Sequence, residues 1–211
     1  MRKSLLALAI VVFLTPVALA RADQNDLSGE PGYINLNSLK TFDRGKSVVE
    51  ISLTQPLLSL ARWAVADDDP EMAEMLGSLK LLQVNVFSYP LSEGKSLSAS
   101  LEDVAGKLAT QGWNSVVKVK QKNETWHIMV KMDEKGGTKG APLLNGVAIL
   151  GMGDENSDIH YEEGDGLEAV FVNVVGNLDF AQLSKLGKHF DLPMLEKLDA
   201  KDAGKAQGSA Q

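Results

Sequence analysis

Between residues 79 and 132 the chain alternates apolar and polar positions, changes to a helical period, then alternates again, which predicts strand, helix, strand, strand. Leu82, Val84 and Val86 share one face of the first strand, because successive side chains leave a pleated backbone on opposite sides. Gln83 and Asn85 are then expected to point away from the core. Leu97, Leu101, Val104, Ala105 and Leu108 recur at helical spacing, which lays one apolar stripe on the sheet and leaves Glu102, Asp103 and Lys107 in water. Gly112 suits the left-handed residue that ends such a helix. Val117 and Val119 alternate with Lys118 and Lys120. After a turn near Asn123-Glu124, Trp126, Ile128, Val130 and Met132 alternate with His127, Met129 and Lys131, a hairpin with one dry face.

The flanks extend this core. Tyr33-Ile34-Asn35-Leu36 reads as a short leading strand, or Leu36, Leu39 and Phe42 as a helical turn, and periodicity does not choose. Residues 47–53 form a clearer strand with Val49, Ile51 and Leu53 on one face. Thr54 then caps a helix with Pro56 in its first turn, and Leu57, Leu60, Ala61 and Ala64 give that helix a core face. Asp67-Asp68-Asp69-Pro70 interrupts it, and Asp69 caps a second helix carrying Met72, Met75, Leu76 and Leu79. Methionines at this spacing read as gap-fillers of a core before they read as a binding groove. Residues 147–152 form a strand apolar on both faces, with Gly151 permitting close approach. In residues 167–175, Val170, Val172 and Val174 share one face while Ala169, Phe171 and Val175 cover the other, which predicts a central strand. Asp179 and Gln182 have capping-box spacing before Leu183, Leu186 and Phe190, which are expected to pack on the sheet.

Residues 1–22 stand apart. Arg2 and Lys3 precede an apolar run over residues 5–14, followed by Thr15-Pro16 and the small-residue patterns Ala18-Leu19-Ala20 and Ala20-Arg21-Ala22. This order predicts a secretory signal peptide with either pattern as the cleavage site. The run is shorter than the ~20 residues of a membrane span, so the mature chain is expected to have no integral membrane segment. The absence of cysteine removes both disulfides and the usual site of lipid attachment, leaving packing alone to hold the fold. Residues 23–30 read as a flexible arm, 31–198 as a single domain, and 199–211, rich in Lys, Ala, Gly, Gln and Ser, as a disordered tail. The 21 basic and 28 acidic residues give a net charge of −7, and losing Arg2, Lys3 and Arg21 with the leader takes it to −10. Such a surface repels phosphate backbones, so no nucleic-acid partner is expected.

Candidate chemistry is sparse. Three adjacent aspartates, Asp67 to Asp69, suggest a metal site, but carboxylates at that point are explained by the positive end of the following helix. Gly136-Gly137-Thr138-Lys139-Gly140 lacks the glycine spacing of a phosphate-cradling loop. Asp154, Asn156, Asp158 and Asp165, with His160 and Glu162, fall at ligand positions of a calcium loop. However, Ile159 stands where the sharp turn demands glycine, so a solvated connection is the expectation and no cofactor is assigned. No Gly-x-Ser-x-Gly elbow or His-Glu-x-x-His helix is present. His127 lies opposite Trp126 on its strand, either in solvent or under a second layer; His160 sits among carboxylates; His189 ends a helix. Trp63, Trp113 and Trp126 would stack on a sugar or peptide if exposed together, but the position of Trp126 on an apolar face favours packing.

Pro31-Gly32-Tyr33-Ile34-Asn35-Leu36, Val48-Val49-Glu50-Ile51-Ser52-Leu53, Gly112-Trp113 followed by Val116-Val117, and Gly176-Asn177-Leu178-Asp179 resemble a bacterial family, domain of unknown function 4252, over residues 31–198. The resemblance implies an exported or lipid-anchored envelope protein with no established activity, in some members encoded near extracytoplasmic sigma factors. This chain departs from lipid-anchored members in lacking the cysteine, and its acidic loop is longer than the family pattern suggests. The expected fold class is α+β, two-layer, a mostly antiparallel sheet with helices largely on one face. The expected function is a soluble, non-enzymatic periplasmic or secreted protein that binds a protein partner in the envelope, with a link to envelope-stress signalling. The alternative is a periplasmic hydrolase-like or calcium-binding protein centred on residues 154–165. A concave pocket bringing His127 or His160 to carboxylates favours the enzyme, and a flat apolar patch favours the binder.

Overall fold

The computed structural model describes residues 27–121, 124–133, 143–154, 166–179 and 182. Six strands form in these residues: β1 (Lys46–Thr54), β2 (Leu79–Pro90), β3 (Trp113–Lys120), β4 (Thr125–Met132), β5 (Leu144–Asp154) and β6 (Gly166–Leu178). Three helices accompany them: α1 (Gln55–Val65), α2 (Pro70–Ser78) and α3 (Gly94–Thr110). The strands make one sheet in the order β1-β2-β6-β5-β4-β3, every neighbouring pair antiparallel. The architecture is α+β with a wholly antiparallel sheet, as the alternation and helical spacing predict, but the helices are not largely on one face: α3 covers one side of the sheet and α1 with α2 the other.

Strand order follows from α3. The strands β3 to β6 run as a meander of consecutive neighbours, and β6 returns beside β2. The chain leaving β2 must therefore reach the far edge at β3, four strand positions away, which is ~19 Å at the usual spacing. The 17 residues of α3 cover ~25 Å, enough to cross the sheet diagonally. Gly112, at φ +82°, then turns the chain into β3 in a conformation that side chains with a Cβ resist.

The predicted stripe of α3 is the buried one: Leu97, Leu101, Val104, Ala105 and Leu108 pack on Met129, Leu150, Leu167 and Phe171. Phe42 joins this layer, its ring 5.1 Å from Phe87 and 5.8 Å from Phe171. On the opposite face of the sheet, Leu58 of α1 and Met75 of α2 close over Leu82, Val147, Val174 and Leu178, with Ile128 and Ile149 in the same cluster. Asp69 caps α2 by accepting from the Met72 amide at 2.9 Å, whereas Thr54 occupies the cap position of α1 without a side-chain bond. The Asp179–Gln182 box is closed in both directions, at 3.0 and 2.7 Å. Leu183, Leu186 and Phe190 lie outside the described residues, as do the leader and the tail.

Gln83 and Asn85 correct the reading of β2. Both are buried, on the face that carries Phe87 and Tyr89, because β2 has a neighbour on each side and cover on both faces. Of the two readings of the leading segment, the helical turn is the one found: it forms two short 3-10 turns, Leu36–Ser38 and Lys40–Phe42. What fixes it is Asn173 in β6, fully buried. Its Oδ1 accepts from the Ile34 amide at 2.9 Å, and its Nδ2 donates to the carbonyls of Gly32 at 2.9 Å and Val147 at 3.3 Å. Gly32 crosses so close to β5 that an added Cβ would stand 2.0 Å from the Asn145 carbonyl oxygen. Gly151, opposite Trp126, is likewise covered, but by the indole ring rather than by backbone.

Candidate functional site

One polar network lies between α3 and the edge of the sheet. Glu102 follows the buried Leu101 on α3, and β3 presents Lys118 and Lys120 beneath it because its alternation turns both lysines to that face. Lys118 Nζ donates to Glu102 Oε2 at 2.7 Å and Lys120 Nζ to Oε1 at 3.3 Å. His127, paired with Lys118 across the β3–β4 ladder, is only 3% exposed, and its Nε2 sits 3.7 Å from Glu102 Oε2 with no hydrogen-bond partner among the described residues. One turn back on α3, Ser98 shares a 2.8 Å hydroxyl bond with Thr125. His127 is therefore the layered alternative of the two expected for it.

Burial pushes the His127 imidazole below its ordinary pKa; the Glu102 carboxylate opposes this, and Lys118 and Lys120 add to it. Glu102 is held below the ordinary carboxylate value, chiefly by the Lys118 hydrogen bond, with burial opposing and Lys120 assisting. The groups facing His127 are thus Glu102 from α3 and the two lysines from β3. Because the folded state keeps His127 neutral, stability is full above the ordinary value of 6.5 and falls as pH drops below it and through the lowered folded value. The Glu102 contribution is lost separately, below 4.5. Urea midpoints taken between about pH 8 and about pH 5 are expected to fall with acid in the natural chain and to flatten in His127→Gln.

The calcium-loop candidates are not brought together within the described residues. Asp154 ends β5, while Asn156, Asp158 and Asp165 lie outside them, together with His160, Glu162 and His189. Among the described residues no three histidine or acidic side chains are grouped to hold a metal ion. A groove of about 520 Å³ runs between α1 and α2, lined by Arg62, Glu74, Gly77 and Ser78 among others, with no histidine in its wall.

The other candidate is apolar. Helix α1 carries apolar side chains almost all round, so only one side can reach the sheet. Leu58 is 1% exposed and holds the helix down, whereas Leu57, Leu60 and Trp63 face out, Leu60 at 62% and Trp63 at 80%. The expected core face, Leu57, Leu60, Ala61 and Ala64, is corrected accordingly: Ala61 is half-buried, and the other three are exposed. The three tryptophans do not form a common surface, since Trp113 is buried and Trp126 half-buried. Beside α1 lies β1, an edge strand that exposes Val48 and Ile51. Lys46 and Glu50 on this strand and a register break between Ser47 and Val49 discourage strand-to-strand pairing. Grouped large apolar side chains on one helix face mark a contact surface more than isolated ones do.

No curated protein matches the chain. Among protein families, residues 42–186 match the Domain of unknown function (DUF4252), a span that begins at Phe42 under the sheet and includes the six strands and three helices of the described residues. The chain thus belongs to that family, whose pattern in this protein is the crossing helix and antiparallel sheet described above.

Proposed function

We propose that the protein is an exported, non-enzymatic envelope protein that works by binding a protein partner through the outer face of α1. The observation that carries this reading is the side-by-side exposure of Leu57, Leu60 and Trp63 on a helix already anchored through Leu58. Exposed apolar surface costs solubility and adds nothing to folding, so a helix that keeps it in water points to a use for it in binding. The polar network supports the same reading: His127 has a carboxylate beside it but lies buried under α3, where Lys118 and Lys120 tie β3, and Thr125 ties β4, to the helix. Among the described residues no helix is long and apolar enough to cross a membrane. The envelope location rests on the residue order of 1–22, and the link to envelope-stress signalling on the family resemblance alone.

Two measurements test this. Sequencing the mature N-terminus is expected to give Arg21 or Asp23 as the first residue, and a soluble protein that retains Met1 would remove the export reading. A pull-down from the envelope fraction with the full mature chain is expected to recover a discrete protein that Leu57→Ser with Trp63→Ser fails to recover. Recovery of the same protein by both would move the contact away from α1.

A further inference from the structure

We propose that the partner segment seated on α1 is a basic amphipathic helix, an inference that rests on the binding role assigned to this face. The stripe of Leu57, Leu60, Trp63 and Ala64 spans about two helical turns, ~10 Å, the footprint of apolar anchors spaced i, i+3 or i+4, and i+7 on a partner helix. The charge of the helical hairpin that carries it is predominantly negative. From Gln55 to Ser78 the hairpin holds five carboxylates, Asp67, Asp68, Asp69, Glu71 and Glu74, against a single cation, Arg62.

That cation does not serve the stripe. The Arg62 guanidinium lies against Gly77 across the α1–α2 groove, where an added Cβ would stand 3.1 Å from its nitrogen. Asp67 and Asp68, both exposed, follow the stripe directly, one turn beyond Trp63 and Ala64, at the end where α1 also presents the negative end of its dipole. Lysines or arginines flanking the apolar anchors of a partner helix would meet these groups. The same carboxylates repel an anionic lipid surface and a second copy of this acidic chain, and the charged, irregular edge of β1 disfavours an added strand.

Trp63 supplies the readout, because its exposed indole emits at long wavelength and shifts to the blue when covered. The full mature chain is titrated with a synthetic amphipathic helix of Leu and Lys, with its Leu and Glu counterpart, and with vesicles of phosphatidylcholine or phosphatidylglycerol. The Leu/Lys helix is expected to bind about tenfold tighter than the Leu/Glu helix at low salt, and about tenfold weaker to Asp67→Asn with Asp68→Asn. The blue shift should vanish in Trp63→Phe, and binding should be lost in Leu57→Ser with Leu60→Ser. Equal affinity for the two helices, no binding of either, or indifference to the aspartate substitutions would overturn the proposal. A Trp63 shift produced by vesicles and not by the Leu/Lys helix would assign the face to lipid instead. If the helices fail while Leu57→Ser with Trp63→Ser still abolishes recovery of an envelope protein, the binding role stands and only the basic chemistry falls.

Discussion

Leu58→Ala is expected to lower the stability of the folded domain by about 2–5 kcal/mol, while Leu60→Ala, two positions along the same helix, leaves it within about 0.5 kcal/mol. Leu58 is among the largest fully buried side chains and packs with Met75, Leu82 and Val174, so truncating it removes apolar contact and leaves a cavity between α1, α2 and the sheet. Leu60 is mostly in water already, and its removal changes helix propensity only slightly. Urea midpoints with matched slopes decide between the two. Equal losses would mean that α1 buries the opposite side from the one described, and the binding surface would disappear with it.

Asn173→Ala is the second large effect, expected at about 3 kcal/mol or more. Removing the amide leaves the buried Ile34 N–H and the Gly32 carbonyl without the partner that holds them, and each orphaned buried group costs about 1–3 kcal/mol. The loss is not confined to one side chain, because the leading segment carries Leu36, Leu39 and Phe42 onto the face shared with α3. Hydrogen exchange at the Ile34 amide should accelerate by more than the global change in stability explains. An unchanged urea midpoint and an unchanged Ile34 exchange rate would show that the segment is held by its apolar contacts alone.

The elements themselves are legible in the sequence because their periods are clear. The stripe of α3, the cap at Asp69, the break before Pro70 and the central place of β6 all follow from spacing and from the chemistry of caps and turns. What the sequence hides are the choices between equivalent faces. In α1, apolar residues at 57, 58, 60, 61, 63, 64 and 65 offer two stripes, and only the position of β1 and β2 decides that Leu58 points inward. In β2, Gln83 and Asn85 look like the wet side of an alternating strand, yet α3 and the leading segment lie on that side of the sheet. Asn173 had a readable signal, a lone amide in a strand that is apolar on both faces, because such a residue is buried only with partners. Its partners, 139 and 141 positions away in sequence, are beyond the reach of local pattern. The pairing of Glu102 with Lys118, Lys120 and His127 is hidden for the same reason: it forms only when the crossing helix lies over the edge of the sheet.

The binding role of α1 is tested by a photo-crosslinking amino acid placed at position 60 in the full chain, with the same group at exposed Lys107 on α3 as the control. One discrete protein adduct is expected from position 60, absent from position 107 and lost when Leu57→Ser is added. No adduct from position 60, or the same adduct from both positions, would contradict that role.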